Sequence, residues 1–369
     1  MPETPSPHPR TAPPRTRLRR RVRAAGATAL ALALGGVLTS CGDDGAAASG
    51  DTSTKITVPT ASVSAAQGMF QYTLKKGFFR ENGLRVSTPL SAEGQLKAAF
   101  VAGSVKFDQL AGGDVLDLYA KQGKIRTLAC IATNNGYHLY TRGAKSLAAL
   151  AGKTVGVPSL GGAPQVAMQA YLRSKGHSEN SVKFVALGSM PNVLTALTSG
   201  RVDSGLLSTP FNFRADKAGL TRIDYAQGPP SPFIVDAAWA KANRETVTKL
   251  LKSLVKGGWS YQTHKEEGVR VLGEFLDLNP DKPADRETLE KSFDAYLPPI
   301  QAPPGRCHPS YFQPYVRYQP KAQQAKLRNL KPLVDNSYVD ALDKQGFYRK
   351  VQRIYGPLPK NTTLAKVLR

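Results

Sequence analysis

Cysteine and histidine are both scarce in this chain: 3 and 5 residues in 369. Three cysteines exclude a disulfide scaffold and a cysteine-rich zinc protein. The histidines, at 8, 138, 177, 264 and 308, share no ligand spacing, so neither a metal nor a cofactor is expected. No charge-free apolar run reaches the length of about 20 residues that spans a bilayer, which excludes a polytopic membrane protein. The patterns GxSxG, HExxH, CxxC and the EF-hand loop are missing, and with them any visible catalytic set. Gly152-Lys153-Thr154 lacks the glycine a phosphate loop needs five residues earlier, where Leu147 stands. Acids are also few, 27 against 50 Lys and Arg, for a net charge of +23. With 41% hydrophobic and 21% charged residues the chain is globular rather than disordered, and its length suggests two or three domains.

The charge is uneven. Residues 1–40 hold seven arginines, no lysine and one acid, Glu3, so +6 of the net charge sits there. The remainder is basic in its own right, which suits attraction to an anionic surface. Its Lys and Arg are spread rather than clustered, so nucleic acid is not an expected partner. A basic stretch over 10–23 precedes an uncharged, small-residue run over 24–39. That is the layout of a secretory signal. Leu38-Thr39-Ser40-Cys41 resembles the lipobox of bacterial lipoproteins. The resemblance implies cleavage before Cys41, lipidation of its sulfur and a tether over 41–54. Two acyl chains hold a protein firmly where one is marginal. Arg19-Arg20 is compatible with twin-arginine export.

From residue 55 onward strand and helix alternate. Strands are expected at 55–59, 84–88, 105–110, 124–133 and 137–141, then at 153–157, 182–186, 202–207 and 233–238. Helices are expected at 67–76, 93–102, 114–121, 163–175 and 191–199, with further helices after 243. Asn134-Asn135-Gly136 reads as a hairpin turn. Alternation of this kind builds parallel sheets flanked by helices. The run restarts near 153, and Ala99–Val105 and Ala196–Val202 echo each other as helix, glycine, polar residue, valine. The expected architecture is α/β with two lobes: 55–142 and 239–369 form lobe one, and 143–238 form lobe two. Crossovers fall near 137–145 and 236–243. Open sheets bind ligands at the carboxyl ends of their strands. The expected contacts are therefore Ser62, Ser64, Gly112 and Asp114 in lobe one, and Ser159, Gly161, Gly162, Thr209 and Phe211 in lobe two. The hydroxyls and glycines suit hydrogen bonds to a small molecule, the helix start after Gly162 favours an acceptor group, and Phe211 offers an apolar wall. Asp114 reads equally as a helix cap. Cys130 and Cys307 could bridge in oxidising surroundings, but spacing does not place them together.

Five stretches carry a family resemblance: Lys76-Gly77-Phe78-Phe79 with Asn82-Gly83-Leu84-Arg85-Val86; residues 147–156 (LAALAGKTVG); Gly200-Arg201-Val202-Asp203; Pro210-Phe211; and 333–342 (LVDNSYVDAL). Together they resemble the solute-binding lipoproteins of the nitrate, sulfonate and taurine importers. That group shares its fold with thiamine-pyrimidine binding proteins and synthases. The resemblance implies the two-lobed periplasmic-binding-protein type II fold, each lobe a mostly parallel sheet flanked by helices. It also implies capture of a small solute and delivery to ABC permease subunits by a monomer anchored outside the cytoplasm. Two positions depart from the pattern: Lys106 stands where lobe one would have an acid, and Thr209 precedes Pro-Phe where an acid is common. The synthase branch's cysteine-rich motif is missing. The alternatives are a tethered ligand sensor and a synthase-type enzyme on the same fold.

Overall fold

The computed structural model describes residues 53–60, 63–91, 93–132, 135–296 and 300–359. All of them belong to one unit, 51–369. The expected signal, Cys41, most of the tether and Ser62 lie outside the described residues.

Eleven strands fall into three sheets among the described residues. β1 (Thr54–Thr57) and β2 (Leu84–Ser87) pair in parallel. A four-stranded sheet has the order β11 (Ile300–Gly305), β4 (Ile125–Ala132), β10 (Pro232–Asp236), β3 (Phe107–Gln109). There β10 runs antiparallel to both neighbours. A five-stranded sheet has the order β7 (Lys183–Ala186), β6 (Thr154–Val157), β8 (Ser204–Leu207), β5 (Asn135–Thr141), β9 (Thr221–Gly228). In it β6 is parallel to β7 and β8, and β5 is antiparallel to β8 and β9. The helices of the first half are α1 (Gly68–Lys75), α2 (Phe78–Glu81), α3 (Glu93–Val101), α4 (Gly112–Gln122), α5 (Ala163–Ser174), α6 (Met190–Thr198) and α7 (Phe211–Lys217). Those of the second half are α8 (Ala237–Ala242), α9 (Arg244–Thr263), α10 (Lys265–Leu276), α11 (Pro283–Tyr296), α12 (Lys321–Gln324), α13 (Ser337–Lys344) and α14 (Phe347–Tyr355).

Strand pairing moves the crossovers. β4 and β5 do not form the hairpin that Asn134-Asn135-Gly136 suggests. β4 completes its ladder between β10 and β11, and β5 completes its own between β8 and β9. The last residue of β4, Ala132, belongs to the four-stranded sheet and the first of β5, Asn135, to the five-stranded one, and the chain returns between Gly228 and Pro232, so both sheet changes fall upstream of the expected 137–145 and 236–243. β5 joins the second sheet, and β10 and β11 join the first.

The four-stranded sheet is covered on both faces. Along β10, Phe233 and Val235 enter one core while Ile234 enters the other, as the period of two in a strand dictates. The first core gathers α1, α9 and α10, with Phe107 stacked on Phe233 at 5.4 Å. The other core lies beneath residues 307–334. A disulfide between Cys130 of β4 and Cys307 fixes that segment, with Cα atoms 5.1 Å apart. Asn336 reinforces it, accepting from the Cys307 amide and donating to the Cys307 carbonyl, both at 2.9 Å.

The five-stranded sheet has its own core. Gly156 of β6 sits opposite Gly205 of β8 in the ladder. A Cβ on Gly205 would lie 2.9 Å from Val193, and one on Gly156 would lie 2.9 Å from Leu187. The two glycines open a trough that lets α6 settle onto the sheet. Asp203, the acid of the Gly-Arg-Val-Asp motif, accepts from the Thr154 amide at 2.8 Å and the Thr154 hydroxyl at 2.7 Å. These bonds hold its carboxyl below the ordinary carboxylate range. The motif acid thus joins β6 to the start of β8 and has a structural task.

Candidate functional site

A cavity of about 110 Å³ lies where the strand ends of both sheets converge. That volume holds on the order of ten water-sized spheres, which suits a small solute. The first sheet contributes Gln109 and Leu110 at the end of β3, Ala111 and Asp114 at the start of α4, and Ser231 before β10. The turn before α1 adds Ser64 and Gln67, and α11 adds Tyr296 from its last residue. The second sheet contributes Tyr137 of β5, Pro158 after β6, Ser208 after β8, and Gly188 with Ser189 after β7. Ala163 and Pro164 open α5 and Met190 opens α6 on the same wall.

Local sequence explains each placement. Ser64 starts a short 3-10 turn, and its hydroxyl donates to Gln67 Oε1 at 3.0 Å. Gly188 takes a positive φ of 85°, turning the chain so that Ser189 can cap α6. The Ser189 hydroxyl accepts from the Asn192 amide at 3.4 Å. Three helices, α4, α5 and α6, therefore start at the cavity and turn the positive ends of their dipoles toward it. Asp114 is the one formally charged residue of the described lining. Its carboxylate is 3% exposed and meets Lys97 Nζ of α3 at 2.9 Å. The Gln109 Oε1 atom is buried without a hydrogen-bond partner. Burial pushes the Tyr296 phenol above its ordinary range, and the Thr209 backbone bonds to it, so it meets the cavity as a neutral hydroxyl.

Of the nine expected contacts, Ser64 and Asp114 line the cavity. Gly112 instead presses on the returning crossover: its amide donates to the Pro230 carbonyl at 2.6 Å, and a Cβ would lie 2.9 Å from Pro229. Ser159, Gly161 and Gly162 shape the turn behind Ala163. The Ser159 carbonyl accepts from the Gly162 amide at 3.4 Å, and the Gly161 amide donates to Gln165 Oε1 at 2.9 Å. Thr209 is buried, and its carbonyl accepts from the Ala65 amide at 3.1 Å, joining the two halves of the cavity rim. Phe211 is not among the described residues lining this cavity. It is 4% exposed and packs in the core of the five-stranded sheet, with Arg214 over its ring.

Gln109, Tyr137, Ser189, Ser208, Ser231 and Tyr296 supply most of the remaining polar lining. Ser189 and Ser208 follow strands of the expected alternation, so the rule of strand ends could have found both. Tyr296, the last residue of α11, lies more than fifty residues past the last expected strand, and no local signal marks it. Among the described residues no group of His, Cys, Asp or Glu could hold a metal ion, and no helix is long and apolar enough to cross a membrane.

No curated protein sequence matches the chain. Solved structures do. A putative periplasmic sulfonate-binding protein SsuA from Methylobacillus flagellatus KT is 17% identical, with a TM-score of 0.58 over 80% of this chain and 96% of that one. The periplasmic nitrate-binding protein NrtA from Synechocystis PCC 6803 is 12% identical, with a TM-score of 0.61 over 85% and 92%. DszB in complex with biphenyl-2-sulfinic acid is 12% identical, with a TM-score of 0.52 over 78% and 99%. These likenesses show the fold, the two-lobed α/β architecture of periplasmic binding proteins. The family model described as NMT1/THI5 like matches residues 68–267, more than half of the 369. On that match the chain belongs to the NMT1/THI5-like family.

Proposed function

We propose that this protein is the extracytoplasmic solute-binding component of an ABC importer. It captures a small solute between two lobes and delivers it to permease subunits. Lobe one comprises the elements before 133 and after 231, and lobe two the elements between. The observation that carries this reading is the divided lining: β3, α4 and α11 supply one wall, and β5, α5 and α6 the other. A ligand touching both walls favours the closed arrangement over the open one, so binding and closure are a single equilibrium. The relatives that bind sulfonate and nitrate by name share this fold.

The lining favours a solute held by neutral hydrogen bonds and helix dipoles, because no Lys or Arg is among its described residues. A nitrate- or sulfonate-like group at the starts of α5 and α6 fits the dipoles. A pyrimidine-like ring fits Gln109 and the two tyrosines. The protein works as a monomer, moored to the cell membrane through lipidated Cys41.

Thermal unfolding in the presence of nitrate, alkanesulfonates, aromatic acids and pyrimidines tests the reading. A ligand at a hundredfold excess over Kd adds about 2.7 kcal/mol of stability. Gln109→Leu removes a buried acceptor that has no partner, so it should weaken binding while leaving the free protein at least as stable as before. No shift with any of these compounds, or a shift indifferent to Gln109→Leu and Ser208→Ala, would overturn the proposal. Cys41→Ala should release the protein from the membrane, and continued retention would remove the anchor from the account.

A further inference from the structure

The carboxyl-terminal stretch from Lys344 to Arg369 carries seven of the chain's 50 Lys and Arg and none of its 27 acids. Helix α14 displays part of this charge in a fixed arrangement. Gly346, with φ 66°, starts the helix. Tyr348 and Val351 turn inward, and Phe347 and Tyr355 pack against the same core. That inward stripe leaves Arg349, Lys350 and Arg353 on the opposite face, all three exposed. Among the described residues none of the three is in a salt bridge. The acids nearest in sequence, Asp340 and Asp343, are both engaged by Arg306. Lys252 extends the patch, with its ammonium 5.7 Å from the Phe347 ring centroid. Beside the cations Ile354 is 57% exposed. Arg349 and Arg353 also border a shallow groove with Gln345, Gln352 and Pro357. After Pro359 the sequence adds Lys360, Lys366 and Arg369.

We propose that the outer face of α14 is a docking surface for the anionic phospholipid headgroups of a bilayer. Charge of a single sign selects a surface of phosphodiesters over a folded protein, whose interface would offer both signs. An exposed isoleucine at the edge of the cations suits the boundary between headgroups and acyl chains. The helix is about 13 Å long, enough to cover a few headgroups and too short for the row of phosphates that nucleic acid presents. This inference is independent of what the cavity binds.

Co-flotation with lipid vesicles tests it, with Cys41→Ala as the parent so that no acyl chain contributes to binding. Binding to phosphatidylglycerol-containing vesicles should exceed binding to pure phosphatidylcholine and should weaken as salt is raised. The triple variant Arg349→Gln, Lys350→Gln, Arg353→Gln should bind the anionic vesicles about a hundredfold more weakly, at roughly 1 kcal/mol per cation near the surface. Arg349→Lys with Arg353→Lys should retain binding, because charge and not fork geometry is read. The three side chains are exposed, so the unfolding midpoint of the triple variant should match the parent and verify its fold. Equal flotation of parent and triple variant would overturn the proposal. So would indifference of the parent to lipid charge, or a preference for soluble polyglutamate over the anionic vesicles.

Discussion

Lys97 Nζ lies 2.9 Å from Asp114 Oδ1, and the carboxylate of that pair is 3% exposed while the lysine keeps 22%. One carboxylate therefore stands in a cavity wall otherwise made of neutral groups, and α3 supplies its counter-charge from behind. The pair makes the wall polar without giving it a net charge.

Removing the lysine should expose how much the wall depends on it. Lys97→Met leaves the Asp114 carboxylate buried without its cation. Breaking a fully buried pair costs about 3–5 kcal/mol, and the partial exposure of Lys97 reduces the expected loss to about 2 kcal/mol. Adding Asp114→Asn to Lys97→Met should recover much of it. Chemical denaturation of the two variants checks both statements.

Asp108 gives a prediction in pH. Burial raises its carboxyl above the ordinary carboxylate range; its Oδ1 accepts from the Gln109 amide and its Oδ2 has no partner. In the unfolded chain the same group loses its proton near pH 4. Above that pH the folded state holds more protons than the unfolded one, so this residue lowers stability as pH rises. Asp108→Asn should therefore raise the unfolding midpoint at pH 7 and raise it much less at pH 4. An equal gain at both values would contradict the assignment.

Phe211 separates packing from recognition. Phe211→Ala should cost about 3–5 kcal/mol, the range for emptying a phenylalanine site in a core. At a temperature where the variant remains folded, its affinity for the solute should stay within a few-fold of the parent. A large loss of affinity at unchanged stability would return Phe211 to the binding wall.

The Cys130–Cys307 bridge closes a loop with a sequence separation of 177 residues. Replacing both cysteines by alanine should cost about 2–5 kcal/mol. Reductant should lower the midpoint of the parent and leave the double variant unmoved.

Most of the alternation was legible. β2, β6, β8, α5 and α6 fall within two residues of their expected bounds, because compact apolar runs and closing glycines mark them locally. Strand partnership was not legible. Asn134-Asn135-Gly136 has the composition of a hairpin, but the choice between a hairpin and a crossover is made by ladders at β8, β9, β10 and β11, up to 170 residues away. The site divides the same way. Loops at strand ends border the cavity, and of the expected residues Ser64 and Asp114 line it. Which residue of a loop faces inward depends on the turn: Gly112 presses outward on Pro230 while Asp114, two positions later, faces in. Phe211 packs in the core, a place the sequence does not distinguish from a ligand wall, because a phenylalanine beside a loop serves either.

The returning crossover has a further consequence. Gly112 donates to Pro230 at 2.6 Å, so the start of α4 is tied to a link that is not itself a helix or a strand. Substitutions at Pro229 or Pro230 could retune retention time for the cargo while leaving its selectivity untouched. Two descendants with identical linings could then differ in how tightly they hold the same molecule, and evolution would have a dial for affinity kept apart from the one for identity.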